Sequence, residues 1–274
     1  MARSTKRPVK AKKSDKNKQP AGSEIQQAFL HLQKAVLNSG YSQGGASYAK
    51  KSVIGWLSGL GDADDDIVEN IETLRSRSRS LYMTSPLATG ALKTVRTNVV
   101  GSGLALNARI DARFLGLSDG EAQEWEANTE REWRLWAETT ACDAERRQNF
   151  YQLQSLVCLS ALMNGDAFIV LPLTPRAGIP YDLRVGIIEA DRVCDPMGKD
   201  PKKNILGGIE VGPYGDMRAV YVANRNPYAT PRAPETYVTK WTRIPAFGEK
   251  TGRRNILHVM TDVERPAQRR GVPF

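Results

Sequence analysis

Residues 75–110 read RSRSRSLYMTSPLATGALKTVRTNVVGSGLALNARI, and the junctions in this stretch decide the fold of the first half of the chain. At Ser85-Pro86 one helix is predicted to end and the next to begin, because a serine side chain caps free backbone amides and proline suits the first helical position. Gly101-Ser102-Gly103 predicts the end of the second helix. The alternating apolar residues of 104–110 then predict a half-buried strand.

Apolar spacing predicts which helix faces are buried. The first helix is expected to begin in the acidic run 62–66, because carboxylates complement the positive end of a helix dipole. Arg75, Arg77 and Arg79 are interpreted as cations placed towards the C-terminal end of that helix, where the dipole favours them. The expected buried residues are Ile67, Ile71, Leu74 and Leu81 in the first helix and Leu87, Ala91, Val95 and Val99 in the second.

Helices are also predicted on either side of this region. Residues 24–38 have helical apolar spacing and lead into a Gly/Ser-rich loop over 39–61. Ser118 and Glu121 fit a capping box at the start of another helix, and 150–164 predicts a further one. The first of these two carries a stripe of Trp125, Thr129, Trp133 and Trp136. Core packing is favoured over base stacking for the tryptophans, since aromatic residues at helical spacing commonly pack.

Beyond residue 166 the pattern favours strands. The predicted strand positions are 167–171, the alternating residues Leu183, Val185 and Ile187, then 209–211, 219–222, 241–245 and 256–259. A chain whose helices come first and whose strands come later predicts an α+β fold, with a helix-rich N-terminal half followed by short antiparallel strands.

The positive charge is concentrated at the N-terminus. The chain of 274 residues has a net charge of +9, and residues 1–20 contain eight basic residues against one acid. Residues 1–22 therefore predict a disordered basic tail, and 23–274 a near-neutral α+β domain. The candidate nucleic-acid contacts in the tail are Arg3, Lys6, Arg7, Lys10, Lys12, Lys13, Lys16 and Lys18. A tail that only increases solubility is the alternative.

Cysteine, histidine and hydropathy patterns exclude several classes. Three widely spaced cysteines and two histidines support neither a disulfide framework nor a zinc site. The acidic run 62–66 lacks the spacing of a calcium loop, so a helix start is favoured over a metal site. No apolar run is long enough for a membrane span, and we expect no cofactor.

No convincing catalytic motif is present. Residues 44–51 resemble a phosphate-binding loop but lack its second glycine and its Ser/Thr, and 101–103 lacks the third glycine of a dinucleotide motif. Glu189, Asp191 and His258 are the candidate catalytic residues of a hydrolase hypothesis. A surface ion-pair group around Arg192 and a histidine packed in a strand are the favoured interpretations. The sequence therefore predicts a structural protein and not an enzyme.

Several phrases, taken in order, resemble the lambda-type tailed-phage portal family. They include LRSRSR at 74–79, SPLATGA at 85–91, NVVGSGL at 98–104, NGD at 164–166, IEADR at 188–192 and RPAQRRGVP at 265–273. The resemblance extends over about 41–274, and one departure is Ser85, where the family usually has asparagine. Subunits of the family continue past this length, so 23–274 is expected to correspond to the wing region, with stem, clip and crown absent.

The resemblance implies a homo-oligomeric ring, a dodecamer in the family, at one vertex of the virion capsid. The ring would pass double-stranded DNA during packaging and ejection and join the head to the tail. The implied partners are the terminase large subunit, capsid or scaffold proteins and head-tail joining proteins, with assembly in the host cytoplasm and no membrane. The alternative is a nucleic-acid-binding accessory protein that acts through the Lys-rich tail.

Overall fold

A computed structural model describes residues 51, 52, 55, 59, 61–228 and 240–274. The chain divides into two units at Leu60/Gly61, and the second unit, Gly61–Phe274, contains nearly all of the described residues. The predicted basic tail, the boundary at residue 22 and the helix at 24–38 lie outside the described residues.

Helices come first in the described unit, as predicted. They are α1 (Ala63–Ile67), α2 (Ile71–Thr84), α3 (Pro86–Val99), α4 (Ala112–Leu115), α5 (Asp119–Ala137) and α6 (Phe150–Asn164), with a 3-10 turn at Thr140–Cys142. Strands then follow: β1 (Asp166–Val170), β2 (Gly186–Ile188), β3 (Asn204–Leu206), β4 (Ile209–Val211), β5 (Met217–Ala223), β6 (Trp241–Pro245) and β7 (Ile256–Met260), with a second 3-10 turn at Ala190–Arg192. The α+β prediction is confirmed.

The helix boundaries follow their predicted caps. Ser85 accepts a hydrogen bond from the amide of Ala88, and Pro86 occupies the first turn of α3. Ser118 and Glu121 form the capping box of α5. Gly165 ends α6 with φ 87°, a left-handed conformation that glycine adopts without steric cost.

The strands form two antiparallel sheets. The first has the order β2-β1-β7 and the second the order β3-β4-β5-β6. In the first sheet Phe168 lies opposite Ile188 on one side and His258 on the other. In the second sheet Val220 lies opposite Ile209 and Ile244. The sequence patterns did not predict β3, a strand of only three residues.

Strand β1 separates two apolar cores because successive side chains of a strand point to opposite faces. Phe168 packs between the two sheets with Val193, Ile209, Val220 and Ile256. Its neighbour Ile169 faces the helices, in a core that includes Trp136, Leu153 and Val185. The first sheet is therefore covered by apolar contacts on both faces.

Four burial predictions were wrong. Leu81, Leu87, Ala91 and Val99 are exposed, and Leu92 is the buried residue of α3. These two helices lie at the edge of the unit, so much of each apolar stripe faces outward.

The predicted strand over 104–110 was also wrong. This stretch joins no sheet, and carboxylates of α5 hold it in place: the amide of Ala108 donates to Glu130 at 3.1 Å and the amide of Ile110 donates to Glu126 at 2.9 Å. Alternation alone did not distinguish a sheet strand from an extended segment bonded to side chains.

Candidate functional site: a buried arginine–aspartate network

Asp166, the first residue of β1, is the centre of a buried cluster of charges. Its side chain has no solvent exposure. Arg75 Nη2 donates to Oδ1 at 2.7 Å, and Arg270 Nε donates to Oδ2 at 2.7 Å. Arg270 Nη2 also donates to Oδ1 at 3.2 Å, and the amide of Gly271 donates to Oδ2 at 3.3 Å. Together these donors satisfy both oxygens of a carboxylate that burial would otherwise destabilise.

Helix α2 supplies two of the arginines because residues four apart lie on the same helix face. Arg75 and Arg79 both point inward and both bind Asp191, Arg75 through Nη1 at 3.4 Å and Arg79 through its own Nη1. They also bind Asn164 at the end of α6, at its carbonyl and its side-chain oxygen respectively. Arg77 lies on the opposite face and is exposed. The interpretation of all three as helix-end charges was therefore wrong for Arg75 and Arg79.

Arg270 connects the last segment of the chain to both sheets. Besides its bidentate contact with Asp166, its Nη1 donates to the carbonyls of Val193 at 2.8 Å and Gly207 at 2.7 Å. Its Nη2 donates to the carbonyl of Ala190 at 3.1 Å. A planar guanidinium can make this many bonds at once, which a lysine could not reproduce. We call Arg75, Arg79, Asp166, Asp191 and Arg270 the buried ion network.

Two members of the buried ion network, Asp166 and Arg75, have pKa values that their surroundings shift. Burial alone would raise the pKa of Asp166, but Arg270, the hydrogen bond from His258 and Arg75 together lower it well below its usual range. Burial and the nearby Arg270 lower the pKa of Arg75 to about 10, in spite of the two carboxylates beside it. Asp166 and Arg75 therefore both remain ionised at neutral pH.

Two glycines allow the last segment to approach the network. A Cβ on Gly271 would lie 1.9 Å from the carbonyl oxygen of Gly165, and a Cβ on Gly165 would lie 2.3 Å from the carbonyl oxygen of Gly271. No side chain fits between backbones at this distance. The glycines thus bring Arg270 and the amide of Gly271 to Asp166.

The candidate catalytic residues are not arranged as a catalytic group. His258 stacks on Phe168 with ring centroids 4.3 Å apart, and its Nε2 lies 3.3 Å from Asp166 Oδ2. Among the described residues, the His258 ring bonds to Asp166 and to no Ser, Thr or Cys side chain. The prediction that His258 is a packed strand histidine is confirmed.

Glu189 and Asp191, the two candidate carboxylates, lie in different environments. A 3-10 turn over Ala190–Arg192 leaves the Glu189 side chain half exposed and buries that of Asp191. The surface ion-pair interpretation was therefore wrong for Asp191, which belongs to the interior, while Arg192 Nε donates to the carbonyl of Ala223.

The acidic run 62–66 both starts α1 and binds the last segment. Asp62 and Asp65 form the capping box of α1, which confirms the predicted helix start. The predicted helix does not continue through Arg79 as one element, because α1 ends at Ile67 and α2 begins at Ile71. Asp66 pairs with Arg265, and Asp64 pairs with Arg269 at 2.8 Å. The described residues contain no cluster of His, Cys, Asp and Glu side chains suited to a metal ion.

The sequence carried a signal for the buried ion network that its interpretation missed. Arg75 lies four residues after the buried Ile71, in a position that the helical period assigns to the core. An arginine at a core position requires a buried partner, and Asp166 stands at the start of a strictly apolar strand. Only the fold brings Arg270 to the same point, 104 residues further along the chain. The eight basic residues of 1–20 lie outside the described residues.

These features define a structural α+β domain whose helices, sheets and last segment are joined by buried charges. The chain belongs to the lambda family of phage portal proteins, since the sequence profile of that family matches residues 50–274. This membership also supports the prediction of a structural protein and not an enzyme. In the described residues, no helix is both long and apolar enough to cross a membrane.

Individual relatives point to the same family. The chain is 23% identical to portal protein B of Escherichia phage lambda over 228 residues, which are 82% of this chain and 41% of that protein. It is 23% identical to the portal protein of Escherichia phage N15, over 82% of this chain and 42% of that protein. The probable portal protein of Halomonas phage phiHAP-1 is 24% identical, over 78% and 39% respectively. The chain thus spans about two fifths of the length of these relatives.

Proposed function

We propose that this chain forms the wing region of a portal subunit, one of a ring of identical subunits at a single capsid vertex. DNA would enter the capsid through the ring and leave through it after the tail has joined. The observation that carries the proposal is the family match over residues 50–274. The relatives are about twice as long, so the remaining parts of a subunit would lie outside the matched region.

The buried ion network suits this role because a portal domain would have to hold its shape under load. It links α2, the end of α6, β1, the 3-10 turn at 190–192 and the last segment through charge-assisted hydrogen bonds. Such bonds are shorter and stronger than those between neutral groups. Partners of the ring would be the terminase large subunit, capsid or scaffold proteins and head-tail joining proteins, met in the host cytoplasm during assembly.

An amber codon in this reading frame tests the proposal in the phage or prophage that encodes it. In a non-suppressing host we expect capsid shells that contain no DNA and carry no tails. A suppressor host should restore DNA-filled particles and is the matched control. DNA-filled, tailed particles in the non-suppressing host would contradict the proposal.

We also propose that residues 1–20 contact DNA, because they hold eight basic residues in twenty and the rest of the chain is nearly neutral. Deletion of 1–20 should remove most of the DNA affinity. It should also reduce the salt dependence of that affinity, because each neutralised phosphate contributes about 0.9 to the slope of the logarithm of the binding constant against the logarithm of the salt concentration. Replacing the eight basic residues by serine while keeping the length is the control for chain length. Unchanged affinity in both variants would sink this idea.

A further inference from the structure

An open apolar groove of about 740 Å³ lies between the helices and the first sheet. Aliphatic residues of α3, α6 and β7 line it, together with Leu104 and Phe274. Two carboxylates, Asp262 and Glu264, lie at its edge, and both residues are exposed. A depression of this volume lies within the range of about 300–1,000 Å³ that binding sites occupy, so its apolar lining makes it a candidate contact surface.

A short apolar projection stands elsewhere on the same unit. Phe114 is 86% exposed, and Leu115 and Leu117 are exposed beside it. The backbone of this projection bonds within residues 111–117. Asp111 caps the short helix α4, and Gly116 ends it in the left-handed conformation. We call residues 112–117 the knob. Of the phenylalanines that the structure describes, Phe114 is the most exposed.

The knob is too far from the groove of its own chain to fill it. The knob precedes the N-terminal end of α5 at Asp119, whereas the groove residue Phe150 packs on Trp133, 5.0 Å away between ring centroids. Fourteen helical residues separate these two points of α5, a length of about 21 Å. Knob and groove are therefore separate surfaces of one molecule.

We propose that the knob of one subunit inserts into the groove of the next, and that this contact builds the ring. The inference rests on the proposed function, which requires a closed assembly of identical subunits. A contact between two different surfaces of the same chain joins subunits head to tail, and such contacts close into rings when the rotation permits. Phe114 would be the anchor, because large aromatic side chains with few rotamers dominate the binding energy of interfaces.

Charge complementarity favours the knob over a rival surface. Arg113 is exposed in the knob, and it would face Asp262 and Glu264 at the edge of the groove. Another exposed apolar surface, with Leu81, Met83 and Leu87, spans residues 80–89, which contain no charged side chain. Opposite charges at the edge of an interface fix its register and suppress wrong partners.

Photo-crosslinking of the full-length protein tests the contact. Benzoylphenylalanine replaces Phe114 in one preparation, which is mixed with a ¹⁵N-labelled preparation before irradiation, and crosslinked peptides are identified by mass spectrometry. We expect crosslinks between a light and a heavy copy that join the knob to α3, β7 or residues 272–274. The same probe at Leu87, which is also 86% exposed, is the control and should not reach the groove.

A charge exchange gives an independent measurement by sedimentation. Arg113→Glu should weaken self-association about tenfold, and Phe114→Ala about 30-fold, as expected for a rim charge and an anchor. Adding Glu264→Arg to Arg113→Glu should recover most of the loss. Tyr214→Ala, at a residue 96% exposed in a hairpin turn, should leave association unchanged.

The outcomes separate this inference from the proposed function. Rings seen by electron microscopy whose Phe114 probe crosslinks outside the groove, or only within its own copy, would overturn the knob contact and leave the portal role standing. A protein that never assembles would overturn both. Failure of Glu264→Arg to restore Arg113→Glu, together with groove crosslinks from Leu87, would also reject the knob as the occupant.

Discussion

Asp166 shows how a single residue can hold a fold together while its charge is hidden from water. A buried carboxylate is costly unless donors replace its hydration, and here two guanidiniums and a backbone amide do so. Removing one partner leaves the others as uncompensated buried charges. The effect of a substitution at this site therefore depends more on the ions left behind than on the bond that is lost.

Arg270→Met should destabilise the protein by about 3–5 kcal/mol, because it leaves Asp166 with too few donors and frees three buried carbonyls. Urea denaturation followed by circular dichroism measures the change. Arg147→Met is the control, since Arg147 forms an exposed pair with Glu145 that contributes at most about 1 kcal/mol. Equal stabilities of the two variants would show that the network is not a major source of stability.

Acid should unfold the protein through its depressed carboxylates. The pKa of Asp166 is lowered, and hydrogen bonding by Arg243 lowers the pKa of Glu210 to about 2. A carboxylate whose pKa is lower in the folded state contributes stability that is complete above its unfolded pKa of about 4 and is lost as the pH falls through its folded pKa. The free energy of unfolding should thus fall steadily below about pH 4.

Asp166→Asn separates the contribution of Asp166 to the pH-dependent free energy of unfolding from that of the other carboxylates. The variant should be less stable than the parent at pH 7 and should lose less stability between pH 5 and pH 2.5. Denaturation curves at several pH values give both quantities. A pH dependence identical to that of the parent would mean that folding does not lower the pKa of Asp166, which would contradict this account.

At the scale of elements, the junctions of the chain were easier to predict than the faces of its helices. Capping residues act locally, so Ser85, Ser118 and Gly165 marked helix ends correctly from sequence alone. Burial depends on what the fold brings against a helix, and nothing in residues 81–99 indicates that α2 and α3 lie at an edge. For the same reason the pairing of Arg75 with Asp166, 91 residues apart, was beyond reach of a local pattern.

Gly271→Ala should cost about 1–3 kcal/mol or more, because its Cβ would collide with the backbone of Gly165 and displace Arg270. Thermal unfolding measures the loss. Gly120→Ala, in the first turn of α5 with open space around it, is the matched control and should be neutral or slightly stabilising. If both variants have the same melting temperature, the position of the last segment does not depend on this close approach.

The tryptophans of α5 should differ sharply in how much they contribute to the free energy of unfolding. Trp136 is buried against Trp133 and Phe150, and its Nε1 donates to the carbonyl of Leu183 at 3.0 Å. Trp136→Ala should therefore cost about 3–5 kcal/mol. Trp125 is 50% exposed, so the predicted core packing was wrong for this tryptophan. Trp125→Ala should cost less than about 1 kcal/mol in the same denaturation assay. The predicted core role would be wrong for Trp136 if the two losses were similar.

At the scale of the whole molecule, the last segment closes the described unit onto its beginning. Arg265 and Arg269 pair with Asp66 and Asp64 of α1, while Arg270 enters the buried ion network between the sheets. The phrase RPAQRRGVP supported the family resemblance in the sequence, and the fold explains it: each of its first, fifth and sixth residues binds an aspartate. The α+β order was predictable because the helical patterns precede the strand patterns along the chain. The pairing of the last segment with α1 was not predictable, because it joins the two ends of the described unit and leaves no local pattern.

Electron microscopy of the complete product of the reading frame that encodes this chain tests the central claim most directly. The account predicts ring-shaped particles with a central channel wide enough for a DNA duplex, in which residues 61–274 fit as one rigid domain per subunit. A protein that remains a uniform monomer under conditions where related portal proteins assemble would contradict it.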